Sequence, residues 1–416
     1  MTPAVGEDMW RRETPHVLAA LVRRYGDFAA CEDAVQEALV DASRQWPADG
    51  VPAKPRGWLV RVASRRYLDG HRQDIARLRR EHRVALLDGV DRVTDPAAPL
   101  EDHDASLEVL TYCCHPALTI ESQVTLALRT VLGLSTKQIA AVYLIPSATV
   151  GQRISRAKAT IDLQHRRFPP PATRQERLPA VMHALYLMYT AGHSRSVGGH
   201  LLDVDVTTEA IRLARLLHNE LPEETETAGL LALMLLSEAR RPARTTPDGD
   251  LVPLRDQDRG RWDHTGIAEG VVLIEAALPT GPVGPYQLQA AISAVHAEAP
   301  TWERTDWPQI AALYAMLARS APSPAVTLNY AVAINEVHGP ARALRMLEPL
   351  LDDPRFRGSH RLYAVRAPIL EAFGRRDEAI ADYRTAARLC TNIPEQRFLN
   401  ARIEALGIEP DGADPT

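Results

Sequence analysis

Four cysteines in 416 residues, Cys31, Cys113, Cys114 and Cys390, are too few and too irregularly spaced to form a disulfide framework. None stands in a Cys-x-x-Cys pair. The vicinal Cys113 and Cys114, followed by His115, have no second ligand cluster nearby in sequence, so core packing is preferred there to zinc. Aromatic residues make up only 5% of the chain and β-branched runs are few, which works against a sheet-rich fold. No stretch approaches the ~18 apolar residues of a membrane span, and the N-terminus lacks an apolar leader core. A reduced, soluble, cytoplasmic protein with no membrane partner is therefore expected. The glycine-rich phosphate loop, the His-Glu-x-x-His pair and any convincing nucleophile constellation are also missing, so no catalytic residue, cofactor or metal is expected.

What is present is alanine, leucine and arginine in abundance, with Gly and Pro gathered between periodic segments, a composition that favours an all-α chain. The length predicts two or three domains, each able to bury its own core. The net charge of −5 is unevenly spread. Residues 1–168 carry 23 Lys or Arg against 21 Asp or Glu, and the remainder carries 25 against 32. The two parts are thus expected to meet different partners.

The organising stretch is Gly133 to Lys158, GLSTKQIAAVYLIPSATVGQRISRAK. Ser135 and Gln138 have the spacing of a capping box, with Ile139, Ala140 and Tyr143 giving that helix an apolar side. Leu144-Ile145-Pro146 breaks it, and Ser147 is placed to cap a second helix. There Val150, Ile154, Ala157 and Ile161 form a buried stripe. Thr149, Gln152, Arg153 and Arg156 project from the other face and suit base edges in a major groove, while Lys158 and the helix N-terminus suit phosphates. Any amphipathic helix in a bundle has such a polar face, but the charge here is one-sided. From Arg129 to Arg167 there are seven cations and one acid, Asp162, which is the footprint of a polyanion partner.

Upstream, CEDAVQEALVDASRQW is a helix with Ala34, Val35, Ala38, Leu39 and Ala42 inward and Glu32, Asp33, Glu37 and Asp41 outward. A loop from Pro47 to Pro55 leads to RGWLVRVASRRYLDGHRQDIARLRR, a basic helix with Trp58, Leu59, Val62, Ala63 and Leu68 inward and Arg61, Arg65, Arg66 and Arg72 outward. This order of an acidic helix, a Trp-Pro loop, a basic helix, a linker and a helix-turn-helix resembles the two-domain bacterial RNA polymerase sigma factors of the extracytoplasmic-function (ECF) type over residues ~10–165. The resemblance implies a factor that binds core RNA polymerase at its β′ clamp and β flap and recognises promoter DNA. It assigns the clamp contact to Asp33, Gln36 and Glu37, and opening of the −10 element to Trp46, Trp58, Arg61, Arg65 and Arg66. Reading of the −35 element falls to Ser147, Thr149, Gln152, Arg153, Arg156 and Lys158. Cations for single-strand phosphates and aromatic rings to replace lost stacking fit the second of these roles. Trp58 lies in the apolar stripe and also reads as core.

Between the modules, residues 85–108 form an acidic connector. From Asp88 to Glu108 it has seven acids and one base, Arg92, and it reads either as a solvated spacer or as a phosphate-backbone mimic in a polymerase channel. Past the proline-rich junction at 168–177 come eleven helical segments. The last four repeat with a 36-residue phase, Ala343 to Ala379, and place Tyr363, Ala367, Leu370, Gly374, Tyr383 and Ala386 as a tetratricopeptide (TPR) repeat does. The expected division is 1–84, 85–108, 109–168, a helical extension 169–285 and TPR-like repeats 286–416. A long extension of this kind resembles that of one ECF subgroup, and a protein or small-ligand modulator is expected on it. Residues 240–263 are the least repeat-like and read as a salt-bridged clamp or a ligand loop. A helix-turn-helix regulator fused to a repeat domain is the rival reading, disfavoured because it leaves the acidic and basic helices of the first module without a use.

Overall fold

In the computed structural model, residues 3–80, 105–143, 145–164, 171–193, 203–356 and 358–407 are described. The acidic connector up to residue 104, with Arg166 and Arg167, lies outside them. The described residues form helices and no strand. In order these are α1 (Pro3–Tyr25), α2 (Phe28–Asp49), α3 (Pro55–Arg80), α4 (Ser106–Cys113), α5 (Ile120–Thr130), α6 (Thr136–Tyr143) and α7 (Ser147–Gln164). Then come α8 (Pro171–His193), α9 (Asp203–Glu220), α10 (Thr225–Glu238), α11 (His264–Ala277), α12 (Pro285–Glu298) and α13 (Trp307–Ser320). The chain closes with α14 (Pro324–His338), α15 (Pro340–Leu351), α16 (Arg361–Ala372), α17 (Arg376–Leu389) and α18 (Ile393–Gly407).

The chain forms two compact units, the first running to Gly192 and taking in Val204–Leu213, the second holding Ala214 onward. Helix α8, which follows the proline-rich junction, therefore packs within the first unit. Its Leu178, Val181, Met182, Leu185 and Met188 are buried, and Arg177 donates to the carbonyl oxygen of Thr111 in α4 at 3.2 Å. In α2, Asp27 accepts from the Ala30 N–H at 2.9 Å to start the helix, and Val35, Ala38, Ala42 and Trp46 continue one buried stripe. The expected loop after Trp46 is shorter than Pro47–Pro55, because the helix runs through Pro47 to Asp49. Proline gives up the N–H that would bond the carbonyl four residues back and its ring crowds that carbonyl, and the helix ends two residues later. Gly50 ends the helix at φ +83°, its N–H donating to the Trp46 carbonyl.

In the second unit, each helix from α12 to α18 packs on the next in sequence, and α14 also meets α16. Ala343, Ala367, Ala379 and Ala386 are fully buried where neighbouring helices approach, with Leu347, Leu370 and Tyr383 filling between them. Gly374, at φ +80°, makes the turn between α16 and α17. Nearest-neighbour packing of helix pairs with small residues at the contacts is the architecture of a helical repeat.

Candidate nucleic-acid interface

The helix-turn-helix is built as its capping residues dictate. Ser135 N–H donates to Gln138 Oε1 at 2.8 Å, and Gln138 N–H donates back to Ser135 Oγ at 3.2 Å, a closed capping box. At the second helix the cap differs from expectation: Thr149 N–H and Val150 N–H donate to the Pro146 carbonyl, so Ser147 is the first helical residue. Val150, Ile154, Ala157 and Ile161 are buried, which leaves Ser147, Thr149, Gln152 and Arg156 exposed on the opposite face. Arg153 lies half-buried, its guanidinium 5.8 Å over the Tyr143 ring and 3.5 Å from Thr125 Oγ1. The face offers hydroxyl, amide and guanidinium groups on a rigid helix, the set that reads base edges.

Lys158 is placed elsewhere than expected. It is 9% exposed, and its ammonium donates to Asp33 Oδ1 at 2.7 Å and to Glu32 Oε2 across the first unit. Burial works against the charged ammonium, but Glu32 and Asp33 outweigh it and raise the Lys158 pKa above its ordinary value. Glu32, expected on the outward face of α2, is 2% exposed and takes a second cation, Arg129, whose Nε lies 3.3 Å away. Arg129 also donates to the Leu134 carbonyl at 3.1 Å. A carboxylate buried alone loses several kcal/mol of solvation, so these two cations are what allow Glu32 to lie between α2 and α7. Asp33 keeps most of its surface open, Gln36 is half-buried and Glu37 is exposed. An open groove of about 460 Å³ runs beside them, lined among others by Ala29, Gln36, Gly151 and Ser155.

The basic helix α3 shows the same mixture. Arg61 and Arg65 are exposed, and Arg65 comes within 3.9 Å of Asp69 one turn on. Arg66 is held by Asp41 of α2, Nε at 3.0 Å and an Nη at 2.5 Å, with Glu37 at 3.7 Å, and Asp41 raises its pKa. Trp46 is not available for stacking in this state: it is 3% exposed, and the half-buried Trp58 meets it edge-on at 5.3 Å. Both rings serve the α2–α3 core here, as the position of Trp58 in its apolar stripe implied. Cys113, Cys114 and His115 are buried, with Cys113 Sγ 3.2 Å from Thr130 Oγ1 and its thiol pushed up to about 12 by burial. Glu108, counted in the acidic connector, lies in α4 and pairs with Arg23 at 3.1 Å.

The loop at 240–263 is tied down by ion pairs, Arg241 with Glu238 at 2.7 Å and Asp250 with Arg397 at 3.4 Å, and also by arginine-to-carbonyl bonds. Arg259 donates to the carbonyl oxygens of His296 and Ala299 at 2.6 Å each, at the end of α12, and stacks over the buried Trp262 at 4.9 Å. A cation there also meets the negative end of the helix dipole. Asp258 and Asp263 accept from backbone N–H groups of Gly260 and Thr265.

Comparison with known proteins agrees with this layout. Residues 9–77 match the Sigma-70 region 2 family, residues 109–161 the Sigma-70, region 4 family, and residues 177–278 a family of unknown function, DUF6596. An uncharacterized protein of Rhizobium meliloti (strain 1021) is 39% identical over 408 residues, covering 95% of this chain and 94% of its own length. No solved structure matches the chain. No helix among the described residues is long and apolar enough to cross a membrane. With region 2 on α1–α3, region 4 on the helix-turn-helix and a helical repeat following in sequence, the chain belongs to the ECF-type sigma factors that carry a long C-terminal helical extension, and it serves promoter-specific transcription initiation.

Proposed function

We propose that this sigma factor binds core RNA polymerase through the α2 face of Asp33, Gln36 and Glu37, and reads the −35 element with Ser147, Thr149, Gln152, Arg153 and Arg156. Arg61 and Arg65 bind the −10 strand, joined by Arg66, Trp46 and Trp58 once region 2 opens. The observation that carries the reading is Lys158 sitting on Glu32 and Asp33. A cation on the α2 face mimics a basic polymerase surface, so α7 and polymerase compete for the same carboxylates. The state described here is then the closed form of the free factor, and polymerase binding releases Lys158 to a DNA phosphate.

The helical extension contributes by docking on polymerase or on the sigma domains, with a peptide or small ligand on its repeat face as modulator. Diffuse masking of the DNA-reading faces by its negative charge is the weaker alternative. At a Debye length of ~8 Å such masking fades with salt. Run-off transcription with core polymerase tests this, comparing the full chain with residues 1–220. That cut keeps α8, which belongs to the first unit, and leaves α9 whole. Docking predicts loss of transcription from a cognate promoter on truncation, whereas a truncated protein more active than the full chain overturns it in favour of autoinhibition.

A further inference from the structure

We propose that His360, Cys390 and Glu395 form a three-ligand site for a zinc-type ion at the end of the repeat stack. Three helix ends converge there. His360 precedes α16, Cys390 follows the last residue of α17, and Glu395 lies in the first turn of α18. His360 Nε2 is 3.1 Å from Glu395 Oε1, and the imidazole nitrogen, thiol sulfur and carboxylate oxygen all lie within 4.8 Å of one another.

The chemistry of the set selects the ion. One nitrogen, one sulfur and one oxygen donor suit borderline Zn²⁺, whereas Mg²⁺ and Ca²⁺ want oxygen alone. Tetrahedral bonds of about 2.0–2.3 Å place donor atoms roughly 3.3–3.6 Å apart. The donor atoms, within 4.8 Å of one another, need to draw in by about 1 Å to reach that spacing. As the Zn–S bond forms the thiol proton leaves to solvent, and the fourth position stays open to water or an external ligand.

The scaffold is already fixed. Asn392 Oδ1 accepts from Glu395 N–H at 3.1 Å, Gln396 Nε2 donates to the Ala387 carbonyl of α17 at 2.9 Å, and Cys390 N–H donates to the Ala386 carbonyl at 2.8 Å. Cys390 is 5% exposed, while the His360 and Glu395 side chains keep 22% and 30% of their surface, so the site is built on a buried thiol with an open mouth. A His–Glu ion pair alone needs no thiol beside it. The sequence concealed the set because Cys390 lies thirty positions after His360, with all of α16 and α17 between them, while the visible cluster, Cys113-Cys114-His115, packs into the first unit. A bound ion ties α18 to the start of α16 and so makes the end of the stack metal-dependent.

The experiment uses the tag-free full-length chain, stripped by chelation and titrated with Zn²⁺ against a chromophoric competitor, then with Co²⁺ for its thiolate charge-transfer band. One equivalent is expected, with the cobalt band and with slower amide hydrogen exchange in α18 on adding zinc. Cys390→Ala and Glu395→Gln are each expected to weaken binding beyond the ~10–100-fold that loss of a supporting contact costs, and Cys390→Ala to abolish the band. Circular dichroism checks each fold, and Glu395→Gln keeps the side-chain volume should Cys390→Ala disturb packing. Absence of a bound equivalent in the parent chain overturns the site, as does an equivalent that survives both substitutions.

Discussion

The two units handle their charges differently. In the repeat stack of the second unit part-buried arginines tie nearby helices: Arg366 holds Asp382 through two bonds of 2.6 and 2.8 Å, only 16 residues away, and Arg376 donates from α17 to the Leu406 carbonyl of α18 at 2.6 Å, while a pair that spans further, Arg397 with Asp250 across 147 residues, is exposed on both sides. Arg402 reaches back to Glu371, which also accepts from Tyr383 at 3.1 Å. In the first unit Lys158 reaches Asp33 across 125 residues, and Arg129 reaches Glu32 across 97. Short-range pairs join elements that never separate, since each repeat is held by its neighbours. Pairs between two modules joined by a long connector can open without unfolding either one, so the long-range pair is where a binding partner can intervene.

The largest effect on this contrast is expected at α2. Reversing Asp33 and Glu37 to Lys places two cations where polymerase meets carboxylates and should abolish co-purification with core polymerase, with helicity by circular dichroism unchanged. Both side chains are well exposed, so the fold does not need them. Normal assembly by the double variant would show that α2 is not the polymerase face.

Next in size are the base-reading arginines. Arg156→Ala should weaken holoenzyme binding to the promoter by ~1–3 kcal/mol and relax preference at one −35 position. Arg153→Ala should do the same, with Tyr143 as the platform that holds its guanidinium. Unchanged promoter binding in both variants removes α7 as the recognition helix.

Much of this was legible in the sequence, for reasons that also mark its limit. Capping box, apolar stripe and Gly/Pro breaks are local, so the helices of the extension appear close to where periodicity puts them. The 36-residue phase likewise brings Ala343 and Ala379 to equivalent buried positions. Lys158 lies one turn beyond Ile154 and three residues before Ile161, on the flank of the buried stripe, and that spacing already turned it inward. Its partners could not be read, because nothing local connects it to Glu32. Trp46 continues the Val35, Ala38, Ala42 stripe at a spacing of four, already inside the helix that the sequence shows, whereas its edge-on contact with Trp58 of α3 is not local and could not be read. Glu32 and Arg129 were missed as a pair for the same reason as Lys158.

A smaller effect isolates the second unit. His296, packed against Trp302 and Trp307, has its pKa lowered to about 3, first by desolvation and then by Arg240 and Arg259. The unfolded chain takes that proton near 6.5 and the folded chain does not, so stability is full above 6.5 and falls as pH drops towards 3. Between pH 6.5 and 5 the loss should be roughly 2 kcal/mol by urea midpoint, at about 1.4 kcal/mol per pH unit. His296→Phe should remove that part of the slope, and an unchanged slope would place the titration elsewhere.

Competition for the α2 face is tested most directly by the affinity of Lys158→Ala for core polymerase, measured beside the parent chain at one salt concentration. Removing the ammonium frees Asp33 and leaves Glu32 with Arg129 alone, so affinity should rise about 5–150-fold, the range of a coupling of 1–3 kcal/mol. An affinity equal to or below that of the parent, with the fold intact, contradicts a shared face for α7 and polymerase.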